Sequence, residues 1–268
     1  MEFILASILG VIQGITEWLP ISSTGHLILF QQIWSLGDPK FFEVFKVVIQ
    51  FGSILAVCVL YFRKLNPFIS TKSITEKKET FDLWKKIIVG SLPLVIGLLL
   101  DNIVETKLSG PITIAIALIV YGIAFIVLES KKHYPRITKL EHLDYKTALG
   151  VGMFQILAVI PGTSRSGSTI LGASILGCSR KVASEFSFFL AIPAMVGASG
   201  LKLVKFIAKN GMFSFYELGL LLVGTFVAFV VSVFAIRFLL SYIRKHDFKI
   251  FGYYRIILGI IVLLVFLL

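Results

Sequence analysis

Charge is scarce in this sequence. Asp, Glu, Lys and Arg make up 15% of its 268 residues and hydrophobic residues 57%; a soluble domain carries about 25% charged residues. This make-up excludes a water-facing globular enzyme and points to an integral membrane protein of one domain. Cysteine is nearly absent. Cys58 and Cys178 both lie in apolar segments, which excludes a disulfide framework or a thiolate metal cluster, and they read as small hydrophobes. Acids are scarcer than bases, 15 against 26, for a formal net charge of +11. Basic loops facing anionic lipid account for that excess without a nucleic-acid partner. P-loop, dinucleotide and zinc signatures are missing, and His133, His142 and His246 lie in loops without ligand spacing. The opening MEFILASILG lacks a basic region and a cleavage pattern, so it is expected to be structure rather than a leader.

Long apolar runs are what the chain has. Leu218–Ile236 and Ile112–Leu128 are uncharged and long enough to cross a bilayer. Val47–Phe62 and Phe186–Leu201 become spans if each starts a few residues earlier, with Glu43 and Glu185 inside. Trp84–Val104, with a kink expected at Pro93, and Gly252–Leu268 complete six. The expected fold is all-α and polytopic.

Two regions break this pattern. Phe3–Thr16 is apolar only until Glu17 and Pro20, and a short arm, Leu27–Leu36, follows. TALGVGMFQILAVI likewise ends at Pro161, and STILGASILG follows PGTSRSG. Runs this short suit re-entrant hairpins, whose irregular backbone is tolerated only where protein or a wet cavity satisfies it. QGITEWLPISSTG and QILAVIPGTSRSG resemble each other, and Pro20 and Pro161 lie 141 positions apart. An internal duplication is the reading: halves of about 1–134 and 135–268, each a hairpin plus three spans. Three crossings per half would invert the second copy.

Seven Lys/Arg between Arg63 and Lys86 and five between Lys131 and Lys146 fall on one side of the spans, with Arg180, Lys181 and Arg244–Lys249. The positive-inside rule makes that side cytoplasmic and puts Asp101 and Glu105 outside; Lys202, Lys205 and Lys209 run against this assignment. The two hairpins then enter from opposite faces, and their tips meet within the membrane.

Meeting tips would assemble ISSTGH with GTSRSGS. Two half-helix N-termini, hydroxyls from Ser22, Ser23, Thr24, Ser164, Ser166 and Thr169, and the Arg165 fork suit an anion, phosphate best of all. The competing reading is that these small residues only cap and pack broken helices. Glu17 is either a structural partner of Arg165 or a general acid–base, with Gln13 one turn away on the same face. His26 is either a plain hydrogen-bonded residue or, one turn from Ser23, part of an activated-nucleophile arrangement.

At these positions the chain resembles the bacterial undecaprenyl-diphosphate phosphatase, or bacitracin-resistance, family. The first family motif is met by Gln13, Glu17, Pro20, Ser22, Ser23, Thr24, Gly25 and His26, the second by Pro161, Gly162, Ser164, Arg165, Ser166, Gly167 and Thr169. The resemblance implies hydrolysis of undecaprenyl diphosphate to undecaprenyl phosphate and inorganic phosphate, recycling the lipid carrier for cell-wall synthesis and conferring bacitracin resistance. It implies catalytic roles for Glu17, Ser23, His26 and Arg165, and substrate contacts from Gln13, Ser22, Thr24, Ser164, Ser166 and Thr169. It places the protein in the bacterial cytoplasmic membrane, with a polyprenyl diphosphate substrate and a site opening to the outer face. Mg²⁺ or Ca²⁺ dependence is a family expectation. Gln13 stands where many members have a second Glu, so a cation is expected to arrive with the diphosphate, and no protein metal ligand is assigned. Monomer and homodimer are both left open. The alternative function is a transporter or flippase of polyprenyl phosphate, since inverted repeats with re-entrant hairpins are transporter architecture.

Overall fold

The computed structural model describes the chain except at residues 35, 109, 132, 133 and 268, and the backbone alone at 32, 33, 98, 101, 102, 103, 105, 198 and 267. The expectations for the side chains of Asp101 and Glu105, and for His133, lie outside the described residues. Among the described residues the regular elements are helices, with one isolated parallel bridge between Ile137 and Cys178. In chain order they are α1 Glu2–Thr16, α2 Ser23–Ile33, α3 Pro39–Leu60, α4 Phe62–Leu65, α5 Ile74–Ser91 and α6 Leu94–Leu108, then α7 Pro111–Ser130, α8 Tyr145–Ile156, α9 Arg165–Ile175, α10 Arg180–Asn210, α11 Phe215–Tyr242 and α12 Lys249–Leu267.

Five of these are long and apolar enough to cross a membrane: α3, α7, α10, α11 and α12. Helices α3 and α10 start early enough to contain Glu43 and Glu185, as their lengths required. The sixth expected span is different. Trp84–Val104 divides into α5 and α6 at Leu92–Pro93, because proline supplies no N–H and its ring crowds the preceding turn. The first half of that segment also belongs to a longer polar helix, opened by a Ser73–Glu76 capping box.

The two short regions form the helix–break–helix units expected of them. α1 stops at Thr16 and α2 starts at Ser23; α8 stops at Ile156, passes through a 3₁₀ turn at Leu157–Val159, and α9 starts at Arg165. Helix α1 packs along α11, α12 along α7, and α9 against α8 and α10. Glycine permits the first of these contacts. A Cβ at Gly10 would lie 2.6 Å from the Gly224 carbonyl and one at Gly14 2.9 Å from that of Ala228. The two glycines therefore seat α1 closely on α11. Trp18, Phe186, Phe188 and Phe189 are fully buried around the two breaks, with Trp18 edge-on to Phe188. This aromatic packing supplies the rigid wall on which the polar tips sit. Cys58 and Cys178 are free thiols.

Candidate active site

Both breaks solve the same local problem in the same way. Each following helix needs an N-cap, and the cap is a serine at positive φ, Ser22 (φ 72°) and Ser164 (φ 69°). The two are the only non-glycine residues at positive φ among the described residues. Each hydroxyl accepts the N–H of a glycine three residues on, Gly25 or Gly167, which satisfies one of the helix's orphan donors. A non-glycine residue in this region costs of order 1–3 kcal/mol and persists only where its surroundings over-determine it. The strain aims two helix N-termini, with their free N–H groups and positive dipole ends, at one place.

The tips meet there. Arg165 Nη2 donates to Glu17 Oε1 at 2.9 Å, both side chains largely buried. The other carboxylate oxygen, Oε2, receives Gln13 Nε2 at 3.0 Å and Ser23 Oγ at 3.4 Å. Arg165 Nη1 donates to the Ser187 carbonyl on α10 at 2.8 Å, and its plane lies over the Trp18 ring. Among the described residues its Nε is buried with no hydrogen-bond partner, as is Gln13 Oε1, and buried polar atoms are rarely left so.

Other candidate residues are used by the fold itself. Ser166 Oγ donates to the Glu17 carbonyl at 2.9 Å and lies 3.3 Å from that of Leu19, so it stitches tip to tip. Thr169 bonds the Arg165 carbonyl and the Ser187 hydroxyl from a fully buried position. Ser22 and Ser164 are the caps, and Thr24 is exposed at the start of α2.

His26 departs from the expected pairing with Ser23. Its Nδ1 lies 2.7 Å from the Ser22 carbonyl and its Nε2 2.6 Å from the Tyr254 hydroxyl. Helical side chains lean back toward the N-terminus, so the ring reaches the cap carbonyl and not the Ser23 hydroxyl. A carbonyl only accepts; Nδ1 therefore carries the proton and Nε2 accepts from Tyr254.

The tips do not build a cation site. Glu17 is their single carboxylate, and both its oxygens are taken by donors. Among the described residues no three His, Cys, Asp or Glu side chains gather to hold a metal. The cleft beside α4 and α5 is lined by Arg63, Lys72, Glu76, Asp82 and Lys86, with none of the tip residues. Arg63 pairs there with Glu76 and Lys86 with Asp82, and Lys72 donates to the Thr80 hydroxyl.

Residues 6–261 match the family model described as bacitracin resistance protein BacA. The chain belongs to the BacA family. Curated relatives match along their whole length. The undecaprenyl-diphosphatase of Enterococcus faecalis is 56% identical over 96% of this chain and 95% of its own. Undecaprenyl-diphosphatase 1 of Clostridioides difficile is 56% identical over 100% and 97%, and the undecaprenyl-diphosphatase of Acetivibrio thermocellus 55% over 100% and 98%.

Two contributors to this BacA-family site escaped the sequence reading, Tyr254 and Ser187. Ser187 offers a carbonyl to Arg165 and a hydroxyl to Thr169, and only the fold brings it there. Tyr254 lies in the last span beside an arginine, and that charge inside an apolar run was the signal available.

Proposed function

We propose that this chain is an undecaprenyl-diphosphatase: it hydrolyses undecaprenyl diphosphate to undecaprenyl phosphate and inorganic phosphate. In the cell this recycles the lipid carrier for cell-wall polymers and gives resistance to bacitracin. The observation that carries the reading is the Ser23 hydroxyl set on the Glu17 carboxylate, itself held across the tips by Arg165.

In the reaction, Glu17 Oε2 takes the proton of the attacking oxygen, either the Ser23 hydroxyl or a water beside it. That oxygen forms a bond to the terminal phosphorus as the bond to the bridging oxygen breaks, and undecaprenyl phosphate leaves with the electron pair. Glu17 hands that proton to the departing undecaprenyl phosphate and is a carboxylate again; by the serine route it then takes a proton from the water that hydrolyses the phosphoserine. Arg165 and the N–H groups opening α2 and α9 hold the oxygens on which charge builds, the term that dominates phosphoryl transfer. Gln13 orients Glu17. The Ser22 carbonyl fixes the tautomer of His26, and the Tyr254 hydroxyl holds its Nε2.

The protein sits in the bacterial cytoplasmic membrane, with its two halves inverted and the site opening to the outer face. The polyprenyl tail stays among lipid, since each exposed CH₂ costs roughly 0.8 kcal/mol. Mg²⁺ or Ca²⁺, where the reaction uses one, enters with the diphosphate. A polyprenyl-phosphate transporter would need the anion site but no hydroxyl on a carboxylate.

The test is phosphate release from undecaprenyl diphosphate by the purified protein in detergent. Steady release supports hydrolysis. Movement of polyprenyl phosphate across vesicles without any release would replace it with transport.

A further inference from the structure

Arg255, on the second turn of α12, is fully buried and bonds no carboxylate among the described residues. Its Nη1 donates to the Pro20 carbonyl at 3.1 Å, in the first tip. Its Nη2 donates to the Gly162 and Thr163 carbonyls at 2.9 and 3.0 Å, in the second. Its Nε lies 3.4 Å from the Leu118 carbonyl on α7, and the guanidinium lies over the Tyr121 ring. One side chain thus holds the backbone of both hairpins to a third and fourth helix.

Two glycines make this arrangement possible. Gly162 has φ 94°, and a Cβ there would lie 2.5 Å from the Ile114 carbonyl. A Cβ on Gly167 would come within 3.1 Å of Arg255 Nη1.

We infer that Arg255 is a positioning residue for phosphoryl transfer: it fixes the register of the two tips, and so the placement of Ser23 and Glu17 against Arg165. This rests on the diphosphatase reading above. A buried cation without a counter-ion is costly, and a neutral side chain could fill the space. An ammonium has its three donors on one nitrogen and serves only carbonyls that converge there; the planar fork reaches two segments through separate nitrogens. Its charge has a second effect. Arg165 is paired with Glu17 and Arg255 bonds only carbonyls, which leaves the tips with one net positive charge before a diphosphate arrives.

The experiment compares wild type, Arg255→Lys and Arg255→Met, each purified in detergent and checked for a single monodisperse species. Two quantities are read: steady-state kinetics on undecaprenyl diphosphate, and hydrogen–deuterium exchange over residues 21–25 and 162–167. In Arg255→Lys, kcat should fall about 100-fold, the usual consequence of an ångström-scale misplacement of reacting groups. KM should stay within about threefold, because Arg165 and the helix N-termini are intact. Exchange should quicken in both tip segments. Arg255→Met should show the same pattern more strongly; if it fails to fold, the lysine variant decides alone. Unchanged kcat, or exchange unchanged in either tip, overturns the inference. So does a loss carried entirely by KM, which would make Arg255 a substrate-binding group. A wild-type protein that releases no phosphate would instead remove the diphosphatase reading, and the exchange measurement would still judge the clamp.

Discussion

Glu17 and Arg165 are 148 residues apart in the chain and 2.9 Å apart in the fold. Neither charge is affordable alone at that depth of burial, since removing one partner of a buried pair leaves an uncompensated charge worth about 3–5 kcal/mol. The pair therefore joins the two tips through a single contact.

Arg165→Lys should lose most activity although the charge is kept. The fork bonds Glu17 and the Ser187 carbonyl through separate nitrogens; an ammonium is a point charge. A fall in kcat of about 10²–10³ is expected, the range for removing one preorganised donor. Near-normal turnover would exclude Arg165 from the transition state.

Glu17→Gln should lower stability, because Arg165 loses its counter-charge, and should nearly abolish turnover of the protein that still folds. The amide retains an oxygen for Arg165 but cannot take the proton of the attacking group. General-base loss is worth about 10²–10⁴. Circular dichroism and gel filtration check the fold, and kcat checks the chemistry. Retained activity with an unchanged pH profile would make His26 the working base.

Tyr254→Phe should leave Nε2 of His26 without its hydroxyl partner. One such hydrogen bond is worth about 0.5–1.5 kcal/mol, so a loss of roughly three- to tenfold in kcat is expected if His26 serves turnover. The same change made in a His26→Gln background should then cost nothing more. A full further loss in that background would separate Tyr254 from His26.

Ser166→Ala should act on stability first. Its hydroxyl serves the Glu17 and Leu19 carbonyls inside the protein, and an unsatisfied buried acceptor costs about 1–3 kcal/mol. A lowered thermal midpoint with KM nearly unchanged fits a joint between the tips. An unaltered midpoint with a large rise in KM would make Ser166 a substrate ligand.

Much of this arrangement is legible in the sequence, for physical reasons that differ by element. The tips announce themselves because polar clusters after Pro20 and Pro161 are costly in an apolar chain and must find one another. That Glu17 and Arg165 meet follows from charge alone. The Trp84–Val104 segment breaks at Pro93, where the kink was expected, because proline cannot donate to the helical ladder. Arg255 and Tyr254 stayed hidden because a single arginine near the end of an apolar run also reads as one that snorkels to the interface. Which way such a side chain points depends on helix rotation, fixed here by packing of α12 on α7. The Ser23–His26 pairing was a statement about faces of a helix, and the lean of the ring sent His26 to Tyr254 instead.

The account holds that the two tips act as one catalytic unit. The most direct measurement is phosphate release from undecaprenyl diphosphate by four proteins: wild type, Glu17→Gln, Arg165→Lys and the double variant. Groups that act together lose activity non-additively. The double variant should therefore be no slower than the slower single variant, within about threefold. A double variant slower by the product of the two single losses would mean that Glu17 and Arg165 work independently, and would contradict a shared site.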